Sequence, residues 1–104
     1  MKTAIVEASE PVTLVGGGEV GSGDLDLALE RASVLVAADS GALAALAQGR
    51  LPDAVIGDMD SLPALHRVHI PEERLHRVAE QDSTDFDKAL RHITAPLVLG
   101  VGFL

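Results

Sequence analysis

Val34-Leu35-Val36-Ala37-Ala38 is an unbroken apolar run that stops at Asp39-Ser40-Gly41. Ala42 to Gln48 follows, with Gly49 directly behind it. An apolar run without polar alternation reads as a strand covered on both faces. The next segment reads as a helix built on Leu43, Leu46 and Ala47, with Gly49 at the C′ position. A buried strand turning into a helix is half of a βαβ unit, and the same grammar extends in both directions. Upstream, Val12 to Val15 is a strand entering the Gly16-Gly17-Gly18 loop, and Asp24, with Gly23 before it, is the N-cap candidate of a helix. Leu25, Ala28, Leu29 and Ala32 recur on one face of that helix. Downstream, Ala54-Val55-Ile56 is a third strand ending at Gly57-Asp58. Pro63 and Pro71 weaken the signal between Leu62 and Glu80, where Arg77-Val78-Ala79 is the candidate fourth strand. Phe86, Ala89, Leu90 and Ile93 again share a helical face, and Leu97 to Val101 is the last strand. Strands alternating with helices predict one α/β domain across residues 1–104 with a mainly parallel sheet.

Composition narrows the function. The 104 residues carry 8 basic and 16 acidic side chains, a formal net charge of −8. A uniformly acidic surface repels nucleic-acid backbones and anionic membranes, so neither is an expected partner. Aromatics make up 2% of the chain, Phe86 and Phe103, so flat faces for stacking a heterocycle are nearly absent. The absence of cysteine excludes disulfides, thiolate metal sites and cysteine nucleophiles. Glu7 and Glu10 interrupt the apolar start, which is not a signal peptide, and no apolar run reaches the roughly 20 residues that span a bilayer. A cytoplasmic protein is expected. From Ile93 to Leu104 no residue is charged, and this end reads as a chain stopping just after a buried strand.

The polar residues fall at one place on this frame. Gly16 to Gly18 follow the first strand, Asp39 the second, Asp58 and Asp60 the third, and Asp82 and Asp85 the fourth. Carboxyl ends of parallel strands share one sheet edge, where open α/β sheets bind ligands. Carboxylates gathered there repel one another unless a cation sits among them, and a hard divalent ion such as Mg²⁺ suits oxygen donors. Gly17 and Gly18 let backbone N–H groups approach an anion, and Lys88, one helical turn after Asp85, can meet a phosphate. The chemistry implied is metal-assisted phosphoryl or diphosphoryl transfer. Each motif also has a plainer reading. Asp82 and Asp85 resemble a capping box. Gly57-Asp58-Met59-Asp60-Ser61 resembles a turn, as does Asp39-Ser40-Gly41. Asp53 reads as a turn residue, Lys88 as a surface partner of Asp85, and His66, His69, His76 and His92 as surface residues without ligand spacing. The convergence of acids, rather than any one motif, favours function.

Three ordered segments carry a family resemblance. Ala38-Asp39-Ser40-Gly41-Ala42, the stretch Leu51-Pro52-Asp53-Ala54-Val55-Ile56-Gly57-Asp58-Met59-Asp60-Ser61, and Gln81-Asp82-Ser83-Thr84-Asp85-Phe86-Asp87-Lys88-Ala89-Leu90 resemble the thiamine pyrophosphokinases. The likeness runs from about Val12 to Leu104. It implies a three-layer Rossmann-like α/β domain, followed in the family by a β-sandwich, and a homodimer. It also implies transfer of the β,γ-diphosphate of ATP to thiamine, giving thiamine diphosphate and AMP with Mg²⁺ as cofactor. By motif position Asp39, Asp58 and Asp60 hold the metal and phosphates. Asp82, Thr84, Asp85 and Lys88 hold nucleotide phosphates and thiamine-side groups. Catalytic candidates are therefore Asp39, Asp58, Asp60, Asp82 and Asp85, and nucleotide-binding candidates are Gly17, Gly18, Ser61, Thr84 and Lys88. Two departures stand out. Ser40 occupies a position where the family often has a second glycine. The sequence also stops at Gly102-Phe103-Leu104, where the family continues with a G-x-R-x-D-H-type segment and the β-sandwich. The alternatives are a related pyrophosphokinase with a hydroxymethyl-pterin acceptor and a non-catalytic Mg²⁺-nucleotide-binding or association module.

Overall fold

The computed structural model describes residues 5–18, 20, 21, 23–57, 69–78 and 85–102. Seven strands, three α-helices and one short 3₁₀ turn occur among them. In chain order they are β1 (Val6–Glu7), β2 (Val12–Val15), α1 (Asp24–Arg31), β3 (Val34–Ala38), α2 (Gly41–Ala47) and β4 (Ala54–Gly57). The 3₁₀ turn Glu72–Arg74, β5 (Leu75–Arg77), α3 (Asp85–Leu90), β6 (Ile93–Thr94) and β7 (Val98–Val101) complete them.

The main sheet has the order β5-β4-β3-β2-β7, and every pairing in it is parallel. Register is set at β2, one strand in from the β7 edge, where Val12 lies opposite Val34 on one side and Val98 on the other. A continuous apolar run suits such a strand because its two faces enter two different cores. Val15, Leu35, Ala37 and Val55 pack with Leu25 of α1 and Ala42 and Ala45 of α2. Val12, Leu14, Val36, Ala38, Ala54 and Ile56 pack on the other face with Ala89 of α3 and with Val6 and Ile93. Helices α1 and α2 cover one face, and α3 with the small β1–β6 sheet covers the other. That arrangement is the three-layer Rossmann-like α/β fold expected from the sequence.

Thr13 is fully buried in β2 yet polar, and its hydroxyl donates 2.7 Å to the carbonyl of Ala32 at the end of α1. The bond removes the cost of burying an unpaired hydroxyl and fastens helix to sheet. Gly49, at φ 75°, closes α2. Its N–H donates to Leu46 O and that of Arg50 to Ala45 O, the paired bonds of a Schellman ending.

Four local expectations are corrected. The cap position of α1 falls on Gly23, at φ 84°, and Asp24 is the first helical residue, its carboxylate accepting the Gly21 N–H at 3.0 Å. The buried face of α2 is Gly41, Ala42 and Ala45, while Leu43 and Leu46 are half-buried and Ala47 is exposed. Helix and sheet approach closely there, so small residues point inward and larger ones flank the contact. The fourth strand is Leu75–Arg77, two residues earlier than expected. Ile93 is outside α3 and pairs with Val6 in a two-stranded parallel sheet.

Candidate functional site

Strand order reverses at β2, since β3, β4 and β5 step away on one side and β7 lies on the other. Crevices outside the carboxyl ends at such a reversal are the ligand sites of open α/β sheets. The structure places Gly17 and Gly18 after β2, Asp39 immediately after β3, and Gly57 at the end of β4.

Asp39 is 4% exposed and has φ 49°, the one positive value at a non-glycine position among the described residues. Such a backbone costs on the order of 1 kcal/mol and persists only where its surroundings impose it. Both backbone groups are used here. The Asp39 N–H donates to Ile56 O at 3.0 Å, and its carbonyl accepts the Ala42 N–H at 3.2 Å in the first turn of α2.

The side chains of the Asp39-Ser40 pair fit against two glycines of neighbouring strand ends. A Cβ at Gly57 would overlap Asp39 Oδ1, and a Cβ at Gly17 would overlap Ser40 Oγ. The ends of β2, β3 and β4 thus interlock through one dipeptide. Gly16 N–H donates to Val101 O at 2.7 Å and Gly18 N–H to Gly102 O at 2.6 Å, carrying the β2–β7 pairing past the strands. The Gly18 N–H therefore already has a backbone acceptor, whereas Gly17 is exposed on the loop.

Asp85 is the first residue of α3, and Lys88 lies in the same helix, which packs against β3 and β4. The chain passes from parallel β5 through α3 to parallel β7, and such a crossover helix starts from the carboxyl side of the sheet. Asp58, Asp60, Ser61, Asp82 and Thr84 lie outside the described residues. Among the described residues no group of three His, Asp or Glu side chains is arranged to hold a metal. The donor chemistry at the strand ends nevertheless fits a hard cation. A buried carboxylate sits against Gly57, and Asp58 and Asp60 follow that glycine in the chain.

Asp53 belongs to the opposite end of the sheet. Its carboxylate accepts the Leu35 N–H at 2.9 Å, and its own N–H donates to Leu35 O at 2.7 Å. It joins the start of β4 to β3, a structural task. A separate hollow of about 410 Å³ beside α2 is lined by Leu43, Leu46, Ala47 and His69, and these carry no carboxylate. His76 and His92 are half-buried. Gly57 and Ser40 are the site residues that motif reasoning passed over. A glycine closing an apolar strand directly before D-x-D was the available signal, because glycine in a strand marks close approach.

The family profile described as "Thiamin pyrophosphokinase, catalytic domain" matches residues 25–97, most of the chain. The chain belongs to this family. Two solved structures share the fold. Thiamin pyrophosphokinase from Candida albicans superposes with a TM-score of 0.67 at 20% identity, over 82% of this chain and 33% of that one. Yeast thiamin pyrophosphokinase gives a TM-score of 0.63 at 18% identity, over 86% of this chain and 36% of that one. The chain thus spans about a third of the length of either structure. No curated protein sequence matches it. Within the thiamin pyrophosphokinase catalytic domain, the matched region includes Asp39, the D-x-D pair and the α3 segment. Among the described residues no helix is long and apolar enough to cross a membrane.

Proposed function

We propose that this chain supplies the Mg²⁺-nucleotide half of a thiamine pyrophosphokinase, which transfers the β,γ-diphosphate of ATP to thiamine and releases AMP. The observation that carries the reading is the buried Asp39 carboxylate at the carboxyl edge, within a chain whose family is defined by that catalytic domain. Asp39, Asp58 and Asp60 hold Mg²⁺. When bound, the ion neutralises phosphate charge and eases ionisation of the thiamine hydroxyl, which like water is otherwise protonated far above neutral pH. The exposed Gly17 loop faces the polyphosphate, and Ser61, Thr84 and Lys88 bind its oxygens. Asp82 and Asp85 orient the acceptor side. Burial of Asp39 in a fixed backbone means that its oxygens need little reorganisation on binding, the condition under which electrostatic stabilisation is most effective. A cytoplasmic homodimer is the expected setting.

The test is calorimetric titration of the chain with ATP, once with Mg²⁺ and once with EDTA, followed by ³¹P NMR for AMP in the presence of thiamine. Metal-dependent ATP binding is expected. Its absence overturns the reading. Hydroxymethyl-pterin in a parallel reaction separates the acceptors, and AMP release with the pterin alone would reassign the substrate.

A further inference from the structure

Gly57 is buried at the end of β4. The three atoms nearest to a Cβ built on it all belong to the Asp39 carboxyl group. Oδ1 and Cγ would overlap it, and Oδ2 would lie 3.0 Å away. Gly41 differs, because there the nearest atoms are the backbone of Val15 and Gly16. Residue 41 is thus glycine for the sake of the fold, while the space beside residue 57 is filled by a single carboxylate.

We infer that Gly57 is a positioning residue whose missing side chain forms the slot that fixes the Asp39 carboxylate, and so sets metal affinity at the strand ends. The inference rests on the metal role proposed for Asp39. The Asp39 backbone cannot yield to a methyl group at 57, because its N–H is bonded to Ile56 O and its carbonyl to the Ala42 N–H. Ile56 is the residue before Gly57, so one short segment of β4 holds both the backbone and the side chain of Asp39. An added methyl would occupy the space that the Asp39 carboxylate fills, so the carboxylate is displaced from its slot. Residue 57 would then control metal binding without touching the metal, as groups behind metal ligands generally do.

The test compares wild type, Gly57→Ala and Gly49→Ala by electron paramagnetic resonance titration of Mn²⁺ with ATP, alongside thermal denaturation. Gly49 also has a positive φ, and its Cβ would meet nothing within 4 Å, so its alanine variant strains the fold without disturbing the site. Gly57→Ala is expected to lower Mn²⁺ affinity about tenfold or more. Gly49→Ala is expected to lose stability and keep wild-type affinity. Wild-type affinity in Gly57→Ala overturns the inference. Wild type without ATP-dependent Mn²⁺ binding overturns the metal role of Asp39 instead, and the slot is then decided by a double-mutant cycle. Asp39→Gly empties the slot, so adding Gly57→Ala to it should leave the melting temperature unchanged, even where Gly57→Ala alone does not fold. A double variant as unstable as Gly57→Ala alone shows that the methyl meets something other than Asp39, and the slot is refuted.

Discussion

Two aspartates at opposite ends of the sheet show how one side chain serves two purposes. At the amino end Asp53 is exposed, and its carboxylate pairs with the Leu35 N–H, so that its contribution is a bond between β3 and β4. At the carboxyl end Asp39 is buried, its backbone occupies the left-handed region, and its carboxylate lies where Gly57 has no side chain. A residue that stabilises a fold sits in a relaxed backbone with its charge near water. A residue held in a costly conformation and shielded from water reduces stability, and such positions cluster at functional sites.

That contrast can be broken by substitution. Asp39→Asn should have the largest effect, lowering Mg²⁺-ATP affinity about a hundredfold, roughly 2.7 kcal/mol by calorimetry. The backbone turn should persist, because asparagine also tolerates the left-handed region. Asp58→Asn should weaken the same binding more than Asp53→Asn does, and equal effects would erase the distinction between the two ends. Asp53→Ala should cost about 1 kcal/mol in urea unfolding while ATP binding stays intact. Gly49→Ala should cost a similar amount, about 1 kcal/mol, through backbone strain alone. Arg50→Ala removes an exposed ion pair to Asp26, with a 2.6 Å contact between side chains 47% and 56% exposed. Its unfolding free energy should change by a few tenths of a kcal/mol at most.

The central strands were legible because a strand covered on both faces needs apolar residues at every position, and Val12–Val15, Val34–Ala38 and Ala54–Ile56 supply them. Helix α1 was legible because Leu25 is buried and Leu29, four residues on, packs against the same core. The face of α2 was misread because hydrophobicity ranks Leu43 and Leu46 above Ala42 and Ala45, whereas a closely packed helix buries its smallest residues. Ile93 looked helical because it falls two helical turns after Phe86. Its strand partner is a two-residue segment, Val6–Glu7, too short to show any period. At the site, the placement of Asp39 beside the glycines followed from strand ends. The interlock with Gly57 did not, because it depends on the depth of one carboxylate and on which residue stands opposite it across β3 and β4. Both are properties of packing rather than of spacing. Asp58, Asp60, Ser61, Asp82 and Thr84 remain readings of motif position.

The position of β2 also bears on how the chain is made. Val12 pairs with Val34, which leaves the ribosome soon after it, and with Val98, near the far end of the sequence. At roughly 5–20 residues per second, several seconds separate the two events. Through that interval an interior strand of the finished sheet carries one edge of unpaired backbone N–H and C=O groups, a template for mispairing between nascent chains.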